Sequence, residues 1–313
     1  MQPIIYIDRK TGHREEEHVY GKKFIRLLYG TTLSSRLFGT PLAFLLARIP
    51  FFSSFYGYLQ SRASSAKKVV PFIKAFGLDV SEFAKNPADY VSFNDFFTRK
   101  LKPEARPIDS DPQMAVIPAD GRYWFYQNIE KADGFVVKGK KFDLLRLLKN
   151  DELAKKYAKG SMVIARLCPT DYHRFHFPCD CIPTDTQLIN GWLYSVNPAA
   201  IKKNLEIFTE NKRTLCILQN TGFGDILFLE IGATFVGSIH QTYTPGQFYP
   251  KGSEKGCFSF GASSLILLFP PNAIQFDQDL LAATAQGLEI RCLMGQSMGK
   301  KYKLNDAILT KGI

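Results

Sequence analysis

The chain has 313 residues, 45% of them hydrophobic, enough for one large domain or two small ones with a sizeable core. Its 40 Lys and Arg outweigh 29 Asp and Glu, a formal charge of +11, which favours anionic partners such as an acidic substrate or an anionic membrane surface. The basic residues are dispersed, and without zinc-finger spacing, an RNP-type aromatic motif or a Gly-rich phosphate loop, nucleic acid is set aside as a partner. In chain order, a short strand over Ile4 to Asp8 and a turn at Thr11-Gly12 come first, with His13 and His18 among Arg and Glu as solvated surface. Residues 22–76 hold amphipathic helical pieces: one from Lys22 to Tyr29, one from Pro41 to Phe52, then Phe55 to Leu59 and Val69 to Phe76, separated by Gly or Pro. The apolar run around Leu45 is shorter than the about 20 residues that span a bilayer, and Arg48 and Pro50 interrupt it. Aromatics mixed with Arg and Lys suit a helix lying among lipid headgroups; the same pattern also suits packing onto the protein's own core.

Tyr90-Val91-Ser92-Phe93-Asn94-Asp95-Phe96-Phe97-Thr98-Arg99-Lys100-Leu101-Lys102-Pro103 places aromatics that dock a helix, followed by cations near its C-terminus. The Pro- and Asp-rich stretch from Pro103 to Pro112 reads as a hinge. It divides a helical N-terminal part, 1–110, from a β-rich remainder, 111–313. Asp120-Gly121 between β runs reads as a turn. A Gly-Lys turn and a helix from about Phe142 to Tyr157 follow, then a buried strand from Ser161 to Leu167.

Cys168-Pro169-Thr170-Asp171-Tyr172-His173-Arg174-Phe175-His176-Phe177-Pro178 is the densest cluster of titratable side chains. In an extended backbone His173 and His176 point to opposite faces, so they share a pocket only if the chain bends. His173, His176, Cys179 and Cys181 are ligand types that hold zinc, but C-x-C with H-x-x-H lacks a second cysteine knuckle, and no metal is predicted. Scattered cysteines and the lack of a charged-then-apolar opening segment predict a cytosolic protein with reduced thiols.

Strands are expected over Gln187 to Val196, Leu215 to Gln219, Ile226 to Ile231 and Gly232 to Ile239, with His240 at a pocket edge or in the core. Next comes Lys251-Gly252-Ser253-Glu254-Lys255-Gly256-Cys257-Phe258-Ser259-Phe260-Gly261-Ala262-Ser263-Ser264, leading into the apolar run Leu265 to Phe269. Two serines therefore sit on a sharp corner between strands, either a reactive site or a hairpin turn built with Ser. Residues 270–299 read as β and turn, and the last ten as a loosely held tail.

This corner resembles the processing site of the phosphatidylserine decarboxylase proenzyme family, whose pattern K-G-x-E-x-G-x-F-x-F-G-G-S-T-V-V-x-L-F it follows. Ala262 replaces a glycine, adding a Cβ at the bond to be attacked, and Ser264 replaces a threonine. The S-F-N-D-F-F, P-x-D-G, D-Y-H-R-x-H-x-P, F-x-E-N-x-R and G-A-x-x-V-G-S-I segments are similar as well, in the family's order. The resemblance implies an α+β fold: a helical, membrane-facing N-terminal part and a barrel-sandwich-like catalytic domain. It implies self-cleavage between Ala262 and Ser263 into chains 1–262 and 263–313, with Ser263 becoming a pyruvoyl group that forms a Schiff base with the amine of phosphatidylserine. His176 would be the general base for Ser263, Asp120 would orient His176, His173 would donate the proton after carbon dioxide leaves, and Asp171 would be supporting charge. Phosphatidylserine, an anionic membrane surface, the two processed chains and a homodimer are the implied partners, at the cytoplasmic face of the cell membrane as a peripheral protein. Two rivals stay open: a maturation-deficient homologue that binds anionic lipid, and a serine hydrolase that does not cleave itself, although no G-x-S-x-G elbow is present.

Overall fold

Ser263–Phe269 is buried along its whole length because it runs through the middle of a ten-stranded sheet. The computed structural model describes residues 3–30, 32–130, 143–201, 204, 206–233, 238–261 and 263–302. Across the sheet the strands are Arg14–Glu16, Ile5–Asp8, Glu289–Cys292, Gly121–Tyr126, Ser161–Leu167, Ser263–Phe269, Ile226–Gly232, Arg213–Gln219 and Ile182–Pro183, with Gln187–Ile189 also on Arg213–Gln219. Every pairing is antiparallel except Ile5–Asp8 with Glu289–Cys292.

Strand alternation divides the sheet's side chains between two cores. On one face Val163, Ala165, Leu167, Leu265, Leu267, Phe269 and Phe228 meet two three-stranded sheets. The first is Ile239–Gln241, Glu254–Phe258 and Arg174–His176; the second is Ile274–Phe276, Ser297–Lys301 and Met114–Val116. On the other face Met162, Ile164, Ile266, Leu268, Leu227 and Leu229 are covered by short helices carrying Leu147, Tyr157, Ala200 and Phe208. The fold is thus mixed, with a sheet-dominated C-terminal part.

Helices Lys22–Tyr29 and Val69–Phe76 match expected pieces, whereas the piece expected from Pro41 to Phe52 is broken at the extended Ile49 into Thr40–Arg48 and Pro50–Ser61, the second taking in Phe55 to Leu59. A third core of Val69, Phe72, Phe83, Tyr90, Phe93, Phe96 and Phe97 closes around Phe260 of the corner. The opening strands join the same sheet as the C-terminal strand Glu289–Cys292.

Three further expectations need correction. The corner is not a hairpin: Glu254–Phe258 and Ser263–Phe269 belong to different sheets. The expected helix to Tyr157 is two, Leu144–Leu148 and Asp151–Tyr157, because Lys149 takes a left-handed φ of 52° and Asn150 caps the second with its side chain; its expected start at Phe142, and the Gly-Lys turn, fall outside the described residues. Residues 270–299, read as β and turn, include the helix Gln278–Ala285, whose Leu and Ala residues are good helix formers. Ala262, part of Gly232 to Ile239 and the tail from 303 also fall outside the described residues.

Candidate active site

The corner is held from both ends. Upstream, the Phe258 amide donates to the His173 carbonyl (3.0 Å) and the Ser259 amide to the Ser238 carbonyl (3.2 Å). Downstream, Ser263 stands opposite Leu167 on one neighbour and Gly232 on the other. Between them Gly261 adopts a φ of 143°, a conformation that a Cβ disfavours. Gly256 is required for a different reason: an added Cβ would collide with the His240 carbonyl and the Phe175 ring.

Ser263 is fully buried, and among the described residues its Oγ has no hydrogen-bond partner. Leaving a buried hydroxyl unsatisfied costs on the order of 1–3 kcal/mol, so this serine is not held in place by its own polar group. Ser264, one residue on, points to the opposite face and donates to the Ala165 carbonyl at 2.5 Å.

His173 is the histidine next to the corner. It is fully buried, its Nδ1 bonds to the Asp171 carbonyl at 2.9 Å, its ring lies against the Gly261 backbone, and Phe97 lies on its ring at 3.9 Å between centroids. Burial lowers its pKa to about 4, although Asp171 and the nearby Gly261 backbone favour the charged form. His176 sits three residues along the same edge, opposite Glu254, with its Nδ1 3.4 Å from the Pro118 carbonyl. Burial lowers its pKa too, against the pull of Glu254 and Asp120.

Asp120 is buried and clamped. Arg106 donates to both of its oxygens at 2.7–3.1 Å, and the Met294 amide donates at 2.9 Å. Among the described residues no hydrogen bond joins Asp120 to His176 or either of them to Ser263; Asp120 acts on His176 through its charge. Asp171 accepts twice from Arg122 (2.8 and 2.6 Å) and once from the Cys168 amide (2.7 Å). Burial opposes its charge, yet Arg122 and Arg291 hold its carboxyl below the usual range.

Sequence reasoning missed several neighbours. Arg166, opposite Ser264, binds Glu17 and Glu289 at 2.7 and 2.6 Å, tying both ends of the chain to the central strand. His240 is exposed, not core, and its Nε2 lies 2.8 Å from Ser259 Oγ at the rim of the corner. Arg106 and Arg122 carried no local signal beyond charge, and Asn94 and Phe97 none beyond their place in the S-F-N-D-F-F segment. The cysteines at 168, 179, 181, 216, 257 and 292 are buried and unbridged, and among the described residues no His, Cys, Asp or Glu cluster is placed to hold a metal ion.

Two cavities lie in this region, and the first of them touches the corner. One, about 530 Å³ and mainly apolar, is lined by Gly261, Phe260, Cys168, Tyr56, Phe24 and Leu28. The other, about 710 Å³ and charged, is lined by Asp120, Asp171, Arg99, Arg106, Arg122 and Arg291.

A model of the phosphatidylserine decarboxylase family matches residues 93–300. The phosphatidylserine decarboxylase proenzymes of Chlamydia pneumoniae and Chlamydia caviae are each 50% identical to the chain over 303 residues, covering 97% of it and 99% and 100% of their own lengths. That of Chlamydia muridarum is 44% identical over 301 residues, 96% of the chain and 98% of its own length.

Proposed function

The chain belongs to the phosphatidylserine decarboxylase family, and on that premise we propose that it converts phosphatidylserine to phosphatidylethanolamine with a pyruvoyl group made from its own Ser263. The observation that carries this reading is the Ser263 hydroxyl, sealed from water and without a hydrogen-bond partner among the described residues, two residues after the Gly261 bend. A side chain destined for conversion needs no hydrogen bond of its own, and a buried carbonyl in its place fits an enclosed, largely apolar surround.

In self-cleavage Ser263 Oγ attacks the Ala262 carbonyl carbon while its proton passes to a histidine, and the peptide bond gives way to an ester. Loss of the α-proton releases chain 1–262 with a free carboxylate and leaves dehydroalanine at 263. Its imine form takes up water and releases ammonia, so chain 263–313 begins with the pyruvoyl group. That group supplies an electrophilic carbonyl that takes the lipid amine and accepts an electron pair as carbon dioxide leaves. His176 as base, with Asp120 steadying its imidazolium, is supported by the charge that Asp120 exerts on it. The position of the His173 ring against the Gly261 backbone, at the bend before Ser263, favours a second assignment, in which His173 takes the Ser263 proton. As proton donor in decarboxylation His173 would carry a proton, which burial in the unsplit chain disfavours. Asp171, bound to Arg122 and offering its carbonyl to His173, is the supporting charge.

The barrel-sandwich description is supported by the two small sheets packed across one face of the large one. Peripheral attachment at the cytoplasmic face of the membrane is supported by exposed Leu37, Phe38, Phe51, Phe55 and Tyr58 on the N-terminal helices, where Arg48 lies over Phe44.

Intact-mass measurement tests the reading. The expected result is two fragments, 1–262 and a blocked 263–313, with Ser263→Ala remaining one chain that releases no carbon dioxide from phosphatidylserine. A wild-type chain that stays whole favours the lipid-binding homologue, or the hydrolase if it cleaves esters. In the same assay the histidine whose replacement by Ala keeps the chain whole is the base for splitting, and the other is expected to split and lose turnover.

A further inference from the structure

We propose that Asn94 is a positioning residue for self-cleavage, its side chain holding the Phe260 backbone amide upstream of the scissile bond. The inference rests on the processing reading above and adds to it a residue outside the serine–histidine–aspartate set.

Three consecutive amides before the corner are anchored on three different elements. Phe258 is held by the His173 carbonyl, Ser259 by the Ser238 carbonyl, and Phe260 by Asn94 Oδ1 at 2.9 Å. The first two anchors are backbone and survive most substitutions. The third is a side chain 166 positions away in sequence, and only the oxygen of its amide accepts from an N–H.

Asn94 sits on a helix built for rigidity. Ser92 caps Phe93–Phe97 by accepting from the Asp95 amide (3.1 Å), while Asp95 accepts from the Val91 amide (3.2 Å). Ser65 accepts from the Phe93 amide at 2.9 Å. The same helix also fixes the reacting histidine's surroundings. Phe97 packs on His173 at 3.9 Å and on Phe260 at 4.9 Å. Just beyond it, Arg99 donates to the carbonyls of Thr170 and Asp171, and the Thr98 carbonyl accepts from Arg174. One short helix thereby sets both the segment that carries His173 and the peptide that leads into Gly261. Losing the Phe260 anchor frees the upstream side of the bond while its downstream side stays in the sheet. Small misplacements of a reacting carbonyl cost rate steeply.

The test compares Asn94→Leu, which keeps the volume and loses the acceptor, with Asn94→Asp, which keeps an acceptor oxygen. Whole chains are made by cell-free synthesis, and splitting is followed by denaturing gel and intact mass; melting is measured on each variant combined with Ser263→Ala. The inference expects Asn94→Leu to split on the order of tenfold more slowly, Asn94→Asp to split near the wild-type rate, and the melting temperatures to agree. Wild-type-like splitting of Asn94→Leu overturns the inference and leaves the processing reading standing. Slow splitting of both variants with lowered melting overturns it as well, since that is the mark of a merely structural residue. A wild-type chain that never splits removes the processing reading itself.

Discussion

At the scale of single residues, Ser263 and the two histidines were visible because they stand in local patterns, a corner between apolar runs and a dense H-x-x-H cluster. Their protonation was not visible, since it depends on what the fold packs around them. His173 is enclosed by Phe97 and the corner backbone, and burial holds its pKa at about 4 against an ordinary 6.5. The native chain therefore refuses a proton that the unfolded chain accepts below 6.5. The stability due to this group is fully present above 6.5, declines as pH falls, and is lost by about 4, a span worth at most about 3 kcal/mol. Unfolding of the uncleaved Ser263→Ala chain in urea, repeated across that range, is expected to lose stability as pH falls, and His173→Phe is expected to flatten the loss. A profile equally steep in both chains assigns the loss to other groups. Chain splitting, for its part, is expected to persist below 6.5, because a neutral imidazole remains available as base.

At the scale of elements, legibility followed sequence distance. The Ser161–Leu167, Ile226–Gly232 and Ser263–Phe269 strands were readable as apolar runs. That the chain changes sheets between Glu254–Phe258 and Ser263–Phe269 was not, because their pairing partners, Arg174–His176 and Ser161–Leu167, are far away in sequence. The joint between the two sheets is a fully buried ion pair. Lys255 of Glu254–Phe258 donates to Glu230 of Ile226–Gly232 at 2.5 Å and to Gln241 at 2.9 Å, with its ammonium also over Phe228 and Tyr243. Removing one member leaves an uncompensated charge in the core, and either Lys255→Met or Glu230→Leu is expected to destabilise the Ser263→Ala chain by about 3–5 kcal/mol. The double variant removes both charges together and is expected to recover more than half of that loss in urea unfolding. Equal losses in single and double variants show that packing, not charge pairing, accounts for the joint.

At the scale of the whole molecule, the basic charge and the aromatic N-terminal helices suit each other, and the fold leaves those helices partly uncovered. Val69, Phe72 and Phe93 turn inward to the corner's aromatic core, whereas Phe38 is 69% exposed and Phe51 66%. Among the described residues no single helix is long and apolar enough to cross a membrane, and only Ser35–Arg48 with Phe51–Ser61, bent by 80°, meet that length together. Residues that face outward here are free to enter an interface while their neighbours hold the corner, so lipid contact and chain splitting are separable. Burial of one Phe is worth about 1.5–3 kcal/mol, so Phe51→Ser with Phe55→Ser is expected to weaken flotation with phosphatidylserine-containing vesicles at least tenfold and to leave the rate of self-cleavage unchanged. Added salt is expected to weaken wild-type flotation further, because part of the attraction runs between lysines or arginines and anionic headgroups. Alkaline carbonate is expected to release a peripheral protein, and its failure to do so assigns the bent helix pair to the bilayer interior. Flotation of the double variant equal to that of the wild type moves lipid contact away from this face altogether.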